Sequence, residues 1–251
     1  MLIKLKVAVA KILCSDIIGR IIASVYQNKL PSLVIRGLKI DASSSQIAPS
    51  TKAQIFFGIY ESAEYRFCKK YIPHNANVIE LGSSIGLISS FVSQTKAPKN
   101  IVAIEANPEL IPVINSNFTL NRVKNYKIIN KAIGLDKSEN LWFSKGSDNT
   151  TGVISDKQSD GAVKVQCTTL SDIVIQEDFD NYVLICDIEG GEVDILKDKN
   201  NGLSSCDLII MEIHKTERAD RTYSIDEIAN DIIAIGFKVL DRYGNTFVFS
   251  K

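Results

Sequence analysis

The stretch Val78-Ile79-Glu80-Leu81-Gly82-Ser83-Ser84-Ile85-Gly86-Leu87-Ile88 decides the fold of this chain. An apolar run ends in an acid, two glycines flank a short polar loop, and an apolar helical pattern follows. This order predicts a buried strand, a tight turn and the start of a helix. Glycines in such a turn let the backbone adopt positive φ and approach a ligand closely. The N–H groups of the turn and of the helix N-terminus then face that ligand.

The spacing of the glycines differs from the dinucleotide fingerprint G-x-G-x-x-G, in which a pyrophosphate rests on the helix N-terminus. The order Glu80-x-Gly82-x-x-x-Gly86 lacks the third glycine, and an acid at the strand end repels a phosphate. The stretch from Asn100 to Glu105 is a second buried strand that ends in an acid. It lies about 20 residues after the glycines, where an α/β cofactor site holds a ribose diol. The two acids favour a nucleoside with a cationic end.

Four segments in this order resemble the FkbM family of class I methyltransferases, which use S-adenosylmethionine (SAM). The segments are Glu80-Leu-Gly-Ser-Ser-Ile-Gly86, Val102-Ala-Ile-Glu-Ala-Asn-Pro108, Cys186-Asp-Ile-Glu-Gly-Gly-Glu192 and Ile210-Met-Glu-Ile-His214. The resemblance runs from about Ile59 to the C-terminus. It implies SAM as the cofactor and a hydroxyl group as the acceptor, often on a sugar of a surface glycan or on a secondary metabolite.

Alternating strands and helices predict an α/β fold, a Rossmann-like, doubly wound sheet of seven strands with one antiparallel strand. Tyr182 to Asp187 and Leu208 to His214 are predicted to be buried strands. Phe237 to Arg242 and Thr246 to Ser250 are predicted to close the sheet as an antiparallel hairpin. One continuous helix is predicted from Ile55 to Tyr71.

Residues 1–50 are predicted to be an N-terminal extension, an amphipathic helix followed by a loop, and residues 51–251 the methyltransferase domain. One face of that helix carries apolar side chains, namely Ala10, Leu13, Ile17, Ile21 and Val25. This face would pack on the core or on a second subunit, or it would bind an anionic membrane surface. No stretch reaches the roughly 18–20 apolar residues that a membrane span needs.

The chain is not strongly basic, because Lys+Arg and Asp+Glu both total 29. No basic field is available for nucleic acid, and no nucleic-acid partner is expected. The five cysteines are scattered, which favours free thiols in a reducing compartment. The expected location is therefore the cytoplasm, with peripheral contact at the inner membrane through residues 1–28 as the alternative.

Polar side chains stand at or just after the ends of four predicted strands. They are Glu80, Glu105, Asp187, Glu212 and His214. Buried apolar strands do not require polar termini on one edge, and ligands of open α/β sheets bind beyond the carboxyl ends of the strands. This convergence predicts a site at that edge of the sheet.

The predicted SAM site follows from both the chemistry and the resemblance. Glu80 is expected to bind the methionine ammonium group, and Glu105 both ribose hydroxyls. The resemblance places an adenine contact in the turn after the third strand, at Ala132. The predicted cofactor-binding residues are Glu80, Gly82, Ser83, Ser84, Gly86, Glu105, Ala106, Ala132 and Asp187.

Methyl transfer to a hydroxyl needs a base that accepts the departing proton. Asp187, Glu189 and His214 are the candidates. In an extended strand end, Asp187 and Glu189 share one side, where they would share a proton or bind a divalent cation. Alternatively, Asp187 holds the methionine end of SAM and Glu189 caps a helix. The chain has only two histidines, so no His-rich metal site is predicted.

The acceptor is expected to contact Glu61, Glu212 and Trp142. Glu61 precedes the first core strand, a segment that lies near the cofactor in this family, although it also fits a solvated acidic face. Residues 135–161 form a long polar, turn-rich insertion, with short flanking strands predicted near residues 141–144 and 163–167. Such insertions are often functional, as a lid or an acceptor wall. Trp142 would stack on a sugar there, or simply pack within a hairpin.

The leading prediction is a SAM-dependent O-methyltransferase acting on a sugar, a glycan or a related metabolite. Two alternatives stay open. One is a nicotinamide-dependent sugar oxidoreductase, which the missing third glycine disfavours. The other is a non-catalytic SAM-binding scaffold in glycan assembly.

Overall fold

The computed structural model describes residues 13–29, 32–41, 43–136, 140–146, 152–155, 158, 160–218 and 221–251. The helices within them are α1 Asp16–Lys29, α2 Pro49–Phe56, α3 Ser62–Tyr71, α4 Leu87–Lys96, α5 Ile111–Leu120, α6 Leu170–Glu177, α7 Glu192–Leu196 and α8 Ile225–Ala234. The strands are β1 Ser32–Ile35, β2 Leu38–Asp41, β3 Asn77–Leu81, β4 Asn100–Ile104, β5 Tyr126–Ile129, β6 Ala132–Ile133, β7 Asn140–Lys145, β8 Gly152–Ser155, β9 Val163–Thr168, β10 Tyr182–Cys186, β11 Cys206–Glu212, β12 Thr216–Arg218, β13 Arg221–Tyr223, β14 Lys238–Tyr243 and β15 Thr246–Ser250.

The central sheet has seven strands in the order β14-β15-β11-β10-β3-β4-β5. Strands β11, β10, β3, β4 and β5 are parallel, and β15 runs antiparallel to both of its neighbours. The predicted fold class is therefore confirmed, including its single antiparallel strand and its closing hairpin. The chain order reverses between β3 and β10, and in open α/β sheets such a point is where ligands bind.

The central strands are mostly apolar because both faces of the sheet are covered. Alternate residues point to opposite faces, so Val78 and Ile79 of β3 enter two different apolar clusters. Val78 packs with residues of α3 and α4, such as Phe67 and Phe91. Ile79 packs in the cluster that contains residues of α6 and α8. This packing holds the carboxyl ends of the strands on one rigid edge.

The continuous helix predicted from Ile55 to Tyr71 is wrong. Helix α2 ends at Phe56, α3 begins at Ser62, and Gly58 and Glu61 between them have φ angles of 69° and 47°. The guanidinium group of Arg36 donates hydrogen bonds to the carbonyl oxygens of Gly58, Tyr60 and Glu61. The carbonyls of Gly58 and Tyr60 lie outside any helix, and that of Glu61 lies at the N-cap of α3, so a distant residue stabilises the break.

The N-terminal helix does not pack on the core through the predicted apolar face. Ile17, Ile21 and Val25 are 73%, 56% and 53% exposed, whereas Ile22 is buried. Gly19 lies so close to Pro49 that a Cβ would fall 1.8 Å from its carbonyl oxygen. Ala10 of the predicted face lies outside the described residues.

None of the described helices has the length and apolar character of a bilayer span.

The hairpin of β1 and β2 belongs to the same apolar cluster as the sheet, through Leu33, Ile35, Leu38 and Ile40. The predicted boundary at residue 50 stays a prediction, although the contacts of this hairpin reach across it. Strands β6, β9, β7 and β8 form a second, four-stranded sheet. It contains β7 and β9, the two strands predicted to flank the insertion, together with β6 and β8, which were not predicted as separate strands.

Candidate cofactor and acceptor site

A cavity of about 480 Å³ opens at the carboxyl ends of β3, β4, β10 and β11. This volume falls within the usual range for small-molecule sites. Its floor is formed by the loop from Gly82 to Ser84. Glu105 lines one side, and Asp187 and Glu212 line another. The predicted edge of the sheet therefore carries a cavity of ligand size.

The glycine loop fits only because Gly82 has no side chain. Its φ is +79°, and a Cβ there would fall 1.8 Å from the carbonyl oxygen of Asp187. The N–H groups of Gly82 and Ser83 donate to the carbonyl oxygen of Ile104 at 2.9 and 3.0 Å. Gly86, with φ +74°, begins α4 against Phe118. The loop is thereby fixed between β4 and the end of β10.

Glu105 is held by two backbone N–H groups. Its Oε2 accepts a hydrogen bond from Ser84 at 2.8 Å, and its Oε1 accepts one from Asn107 at 2.8 Å. Burial raises the pKa of Glu105 to about 7, and these hydrogen bonds oppose the rise. The carboxylate lines the cavity with its position set by the loop.

Glu80 lies deeper and is fully buried at the end of β3. The Ser89 hydroxyl donates a hydrogen bond to its Oε2. Burial raises the pKa of Glu80 to about 8, the hydrogen bond from Ser89 lowers it, and the charge of Glu105 raises it. A buried acid with so high a pKa is well placed to accept a cationic ligand group, because a nearby positive charge stabilises its ionised form.

The break between α2 and α3 brings Tyr60 and Glu61 to the cavity. The Tyr60 hydroxyl lies 3.1 Å from Oγ of Ser84. Oε2 of Glu61 is buried and has no hydrogen-bond partner among the described residues. Burial and the charge of Glu80 raise the pKa of Glu61 well above its ordinary value. This wall exists only because the helix is interrupted.

The ends of β10 and β11 place three carboxylates around His214. Its Nε2 lies 3.4 Å from Oε2 of Glu189, 3.9 Å from Oδ1 of Asp187 and 3.9 Å from Oε1 of Glu212. Burial and the charge of Glu212 raise the pKa of Asp187 well above its ordinary value. Burial also raises the pKa of Glu212. The structure thus brings together Asp187, Glu189, Glu212 and His214, all of which are among the predicted site residues.

Glu192 is a residue that the sequence prediction missed. Its side chain has no exposure, and its Oε1 lies 3.0 Å from Nδ1 of His214. Burial lowers the pKa of His214, but the hydrogen bond to Glu192 and the charges of Glu192, Asp187 and Glu189 outweigh it and raise the pKa to about 9. The sequence signal that could have revealed Glu192 is its place in the segment Glu189-Gly-Gly-Glu192. Only the first glutamate of that segment was predicted to have a role.

Most of the predicted site residues line the cavity, whereas Ser83 and Gly86 do not. The lining members of the predicted set are Glu61, Glu80, Gly82, Ser84, Glu105, Ala106, Ala132, Asp187, Glu189, Glu212 and His214. Trp142 does not line the cavity. Its neighbour Phe143 does, together with Ile154, because adjacent residues of β7 point to opposite faces. Arg218 and residues 243–245 also line it and were not predicted.

The family model described as the methyltransferase FkbM domain matches residues 76–239. The chain belongs to the FkbM methyltransferase family. Members are SAM-dependent methyltransferases, so the predicted family and cofactor are confirmed. Among curated proteins, none matches this FkbM chain.

Solved structures show a limited similarity to this FkbM methyltransferase at low sequence identity. A protein of the NADB-Rossmann superfamily from Streptococcus agalactiae is 14% identical, with a TM-score of 0.45, 75% of this chain covered and 68% of the other. TrmK from M. capricolum, in complex with S-adenosylhomocysteine (SAH), is 9% identical, with a TM-score of 0.45, 75% of this chain covered and 66% of the other. At this level of likeness, the acceptors of these proteins do not transfer to the FkbM chain.

The residues present fit SAM. Gly82 lets the loop pack directly against the carbonyl of Asp187, and Gly82 and Ser84 of this loop line the cavity. Two buried acids, Glu80 and Glu105, line the cavity and match the ammonium group and the ribose hydroxyls of SAM. In this FkbM methyltransferase these residues would hold the cofactor, whose bound form supplies an activated methyl group on a sulfonium.

Proposed function

We propose that this chain transfers the methyl group of SAM to a hydroxyl oxygen of a sugar or a related metabolite. The observation that carries the proposal is the position of His214, whose Nδ1 is held by the buried Glu192. Its Nε2 faces Asp187, Glu189 and Glu212 at the edge of the cavity. A site with several proton acceptors suits an acceptor that must lose a proton.

The proposed reaction needs no reactant other than SAM and the acceptor. The acceptor oxygen forms a bond to the methyl carbon as the carbon–sulfur bond breaks, and that electron pair stays on sulfur. The hydroxyl proton passes to a base, for which Asp187, Glu189 and His214 are the candidates. The chain's other contribution is alignment, since an activated methyl group needs in-line approach more than further activation.

The two ends of the cavity are proposed to bind different molecules. Glu80, Gly82, Ser84 and Glu105 form the end proposed for SAM, between β3 and β4. Asp187, Glu189, Glu212 and His214 form the end proposed for the acceptor, beyond β10 and β11. The predicted site roles are retained as part of this proposal, except that Phe143 and Ile154 replace Trp142 as the apolar wall.

The charge of the acceptor end favours a neutral hydroxyl compound over RNA. Among the described residues, the cation within ion-pair distance of Asp187 and Glu212 is His214. Arg218 also lines the cavity, but it is paired with an acid, since its Nη2 lies 3.0 Å from Oδ2 of Asp194. A phosphate backbone is bound by unpaired Lys and Arg and is repelled by carboxylates. A sugar needs carboxylates and apolar faces, and this end offers both.

The experiment is transfer of isotope label from methyl-labelled SAM to a panel of acceptors. The panel contains neutral sugars, oligosaccharides, hydroxylated metabolites and RNA. We expect label on a hydroxyl of a non-nucleic-acid acceptor, with at least a tenfold loss in Glu189→Gln and none in the control Glu217→Gln, since Glu217 is the exposed residue of β12. Label on RNA alone refutes the proposal. SAM binding without any transfer supports the scaffold alternative, and calorimetric binding of NADH instead of SAM supports the oxidoreductase.

A further inference from the structure

Asp187, Glu212 and His214 have a feature that base catalysis does not require. One ligand atom from each lies within 4.8 Å of the other two. A divalent cation with bonds of roughly 2.0–2.6 Å spans donor atoms up to roughly 5 Å apart. The three side chains come from the ends of two neighbouring parallel strands, so the packing of the sheet holds them in this arrangement.

Two observations separate this group from an ordinary acidic surface. Oδ1 of Asp187 is shielded from solvent and has no hydrogen-bond partner among the described residues, although the side chain as a whole is 38% exposed. The second is the bond between Nδ1 of His214 and buried Glu192. Histidines that bind metals usually donate their other ring N–H to a carboxylate, which fixes the tautomer and directs the free nitrogen at the ion.

The charge balance points the same way. Three carboxylates converge on one imidazole, and carboxylates this close repel one another unless protons or a cation intervene. One nitrogen and two carboxylate oxygens suit borderline and hard divalent ions such as Mn²⁺ and Mg²⁺ better than thiophilic ones. Mg²⁺ and Mn²⁺ sites commonly complete their shell with water or substrate oxygens.

We propose that Asp187, Glu212 and His214 bind one divalent cation of the Mn²⁺ and Mg²⁺ class, with Glu192 orienting His214. For its chemical use, this inference rests on the proposed function. The cation would hold an acceptor oxygen beside the cofactor end of the cavity, and the role of base would pass to Glu189. For its test, the inference needs neither an acceptor nor methyl transfer.

The first experiment titrates the SAM-free protein with Mn²⁺ and follows the electron paramagnetic resonance signal of free Mn²⁺. We expect one bound Mn²⁺ per chain, displaced by excess Mg²⁺. Binding weakens at least tenfold in Asp187→Asn and in Glu212→Gln and is unchanged in Glu217→Gln. Thermal melting and circular dichroism show whether each variant is folded. No binding by the unaltered protein, or equal binding by folded variants, refutes the site.

The second experiment needs no variant, because the chain has two histidines. In a protein with ¹⁵N-labelled histidine, a substoichiometric amount of Mn²⁺ broadens nuclei near the ion. We expect loss of the His214 signal while the His74 signal persists. Equal broadening of both signals refutes the location. If Mn²⁺ binds as expected but no acceptor is methylated, the proposed function fails and the metal site stands.

Discussion

Oε1 of Glu192 lies 3.0 Å from Nδ1 of His214, and the Glu192 side chain is completely enclosed by the protein. Strand β11 supplies the histidine two residues after its end, and the glutamate begins the short helix α7. Because the partner is buried and charged, the bond sets which ring nitrogen faces the cavity. Glu192 thus acts on the site without lining it.

Replacing Glu192 by Gln is expected to lower the pKa of His214 below its value of about 9, since the variant loses a charge that raises it. The measurement is ¹⁵N NMR titration of labelled histidines in metal-free buffer with EDTA. His74 is the internal reference, and Glu217→Gln is the control. An unchanged His214 titration would show that Glu192 does not act on the imidazole.

Replacing Glu105 by Gln is expected to weaken SAH binding by roughly tenfold or more. The carboxylate organises Ser84 and Asn107 and is proposed to accept the ribose hydroxyls, and a hydrogen bond to a charged group contributes about 1.5–3 kcal/mol. Isothermal titration calorimetry gives the affinities. The matched control is Glu109→Gln, which removes an exposed acid paired with Lys145. Equal affinities for both variants would exclude Glu105 from the cofactor site.

Glu80 is expected to make the SAM-free protein less stable as the pH rises. Its pKa is about 8 when folded against an ordinary value of 4.5, so the folded state keeps a proton that the unfolded state has lost. The stabilisation is complete below about pH 4.5 and is lost as the pH rises through about 8. Thermal melting of the unaltered protein and of Glu80→Gln at a series of pH values measures it. The melting temperature of the unaltered protein should fall relative to the variant between pH 5 and 8.5. A constant difference would contradict the prediction.

Gly82→Ala is expected to lower the melting temperature by several degrees and to abolish SAH binding, since the new Cβ overlaps the carbonyl oxygen of Asp187. Gly37→Ala is the matched control. Gly37 has a similar positive φ of 87° but no atom within 4 Å of the added Cβ. Both variants therefore carry the backbone strain, about 1–2 kcal/mol, and only Gly82→Ala adds a steric clash. Equal effects would mean that strain alone matters.

Arg36→Asn is expected to weaken SAH binding several-fold and to speed hydrogen exchange at residues 58–61. Arg36 donates to three carbonyl oxygens of this segment, whereas asparagine keeps its left-handed backbone without reaching them. Arg122→Asn is the control, because Arg122 is an exposed arginine with φ 54°. Unaltered exchange at residues 58–61 would show that the hairpin does not support the cavity wall.

The sequence alone determined the sheet and many of the strand-end residues that line the cavity. Apolar runs that end in acids identify β3, β4, β10 and β11, because strands buried on both faces must be apolar until they reach the edge of the core. The glycine spacing and the acids at the strand ends then located Glu80, Gly82 and Glu105. These signals are local, so a pattern of neighbouring residues is enough to reveal them.

Only the tertiary structure decided which residues meet across the chain. Helical spacing continued through residues 57–61, yet Arg36, more than 20 residues away, stabilises a break there. The pairing of Glu192 with His214, 22 residues apart, and the exposure of Ile17 depend on packing between elements. The physical reason is that periodicity records which face of an element is apolar, whereas contacts between distant residues arise only when the elements are packed together.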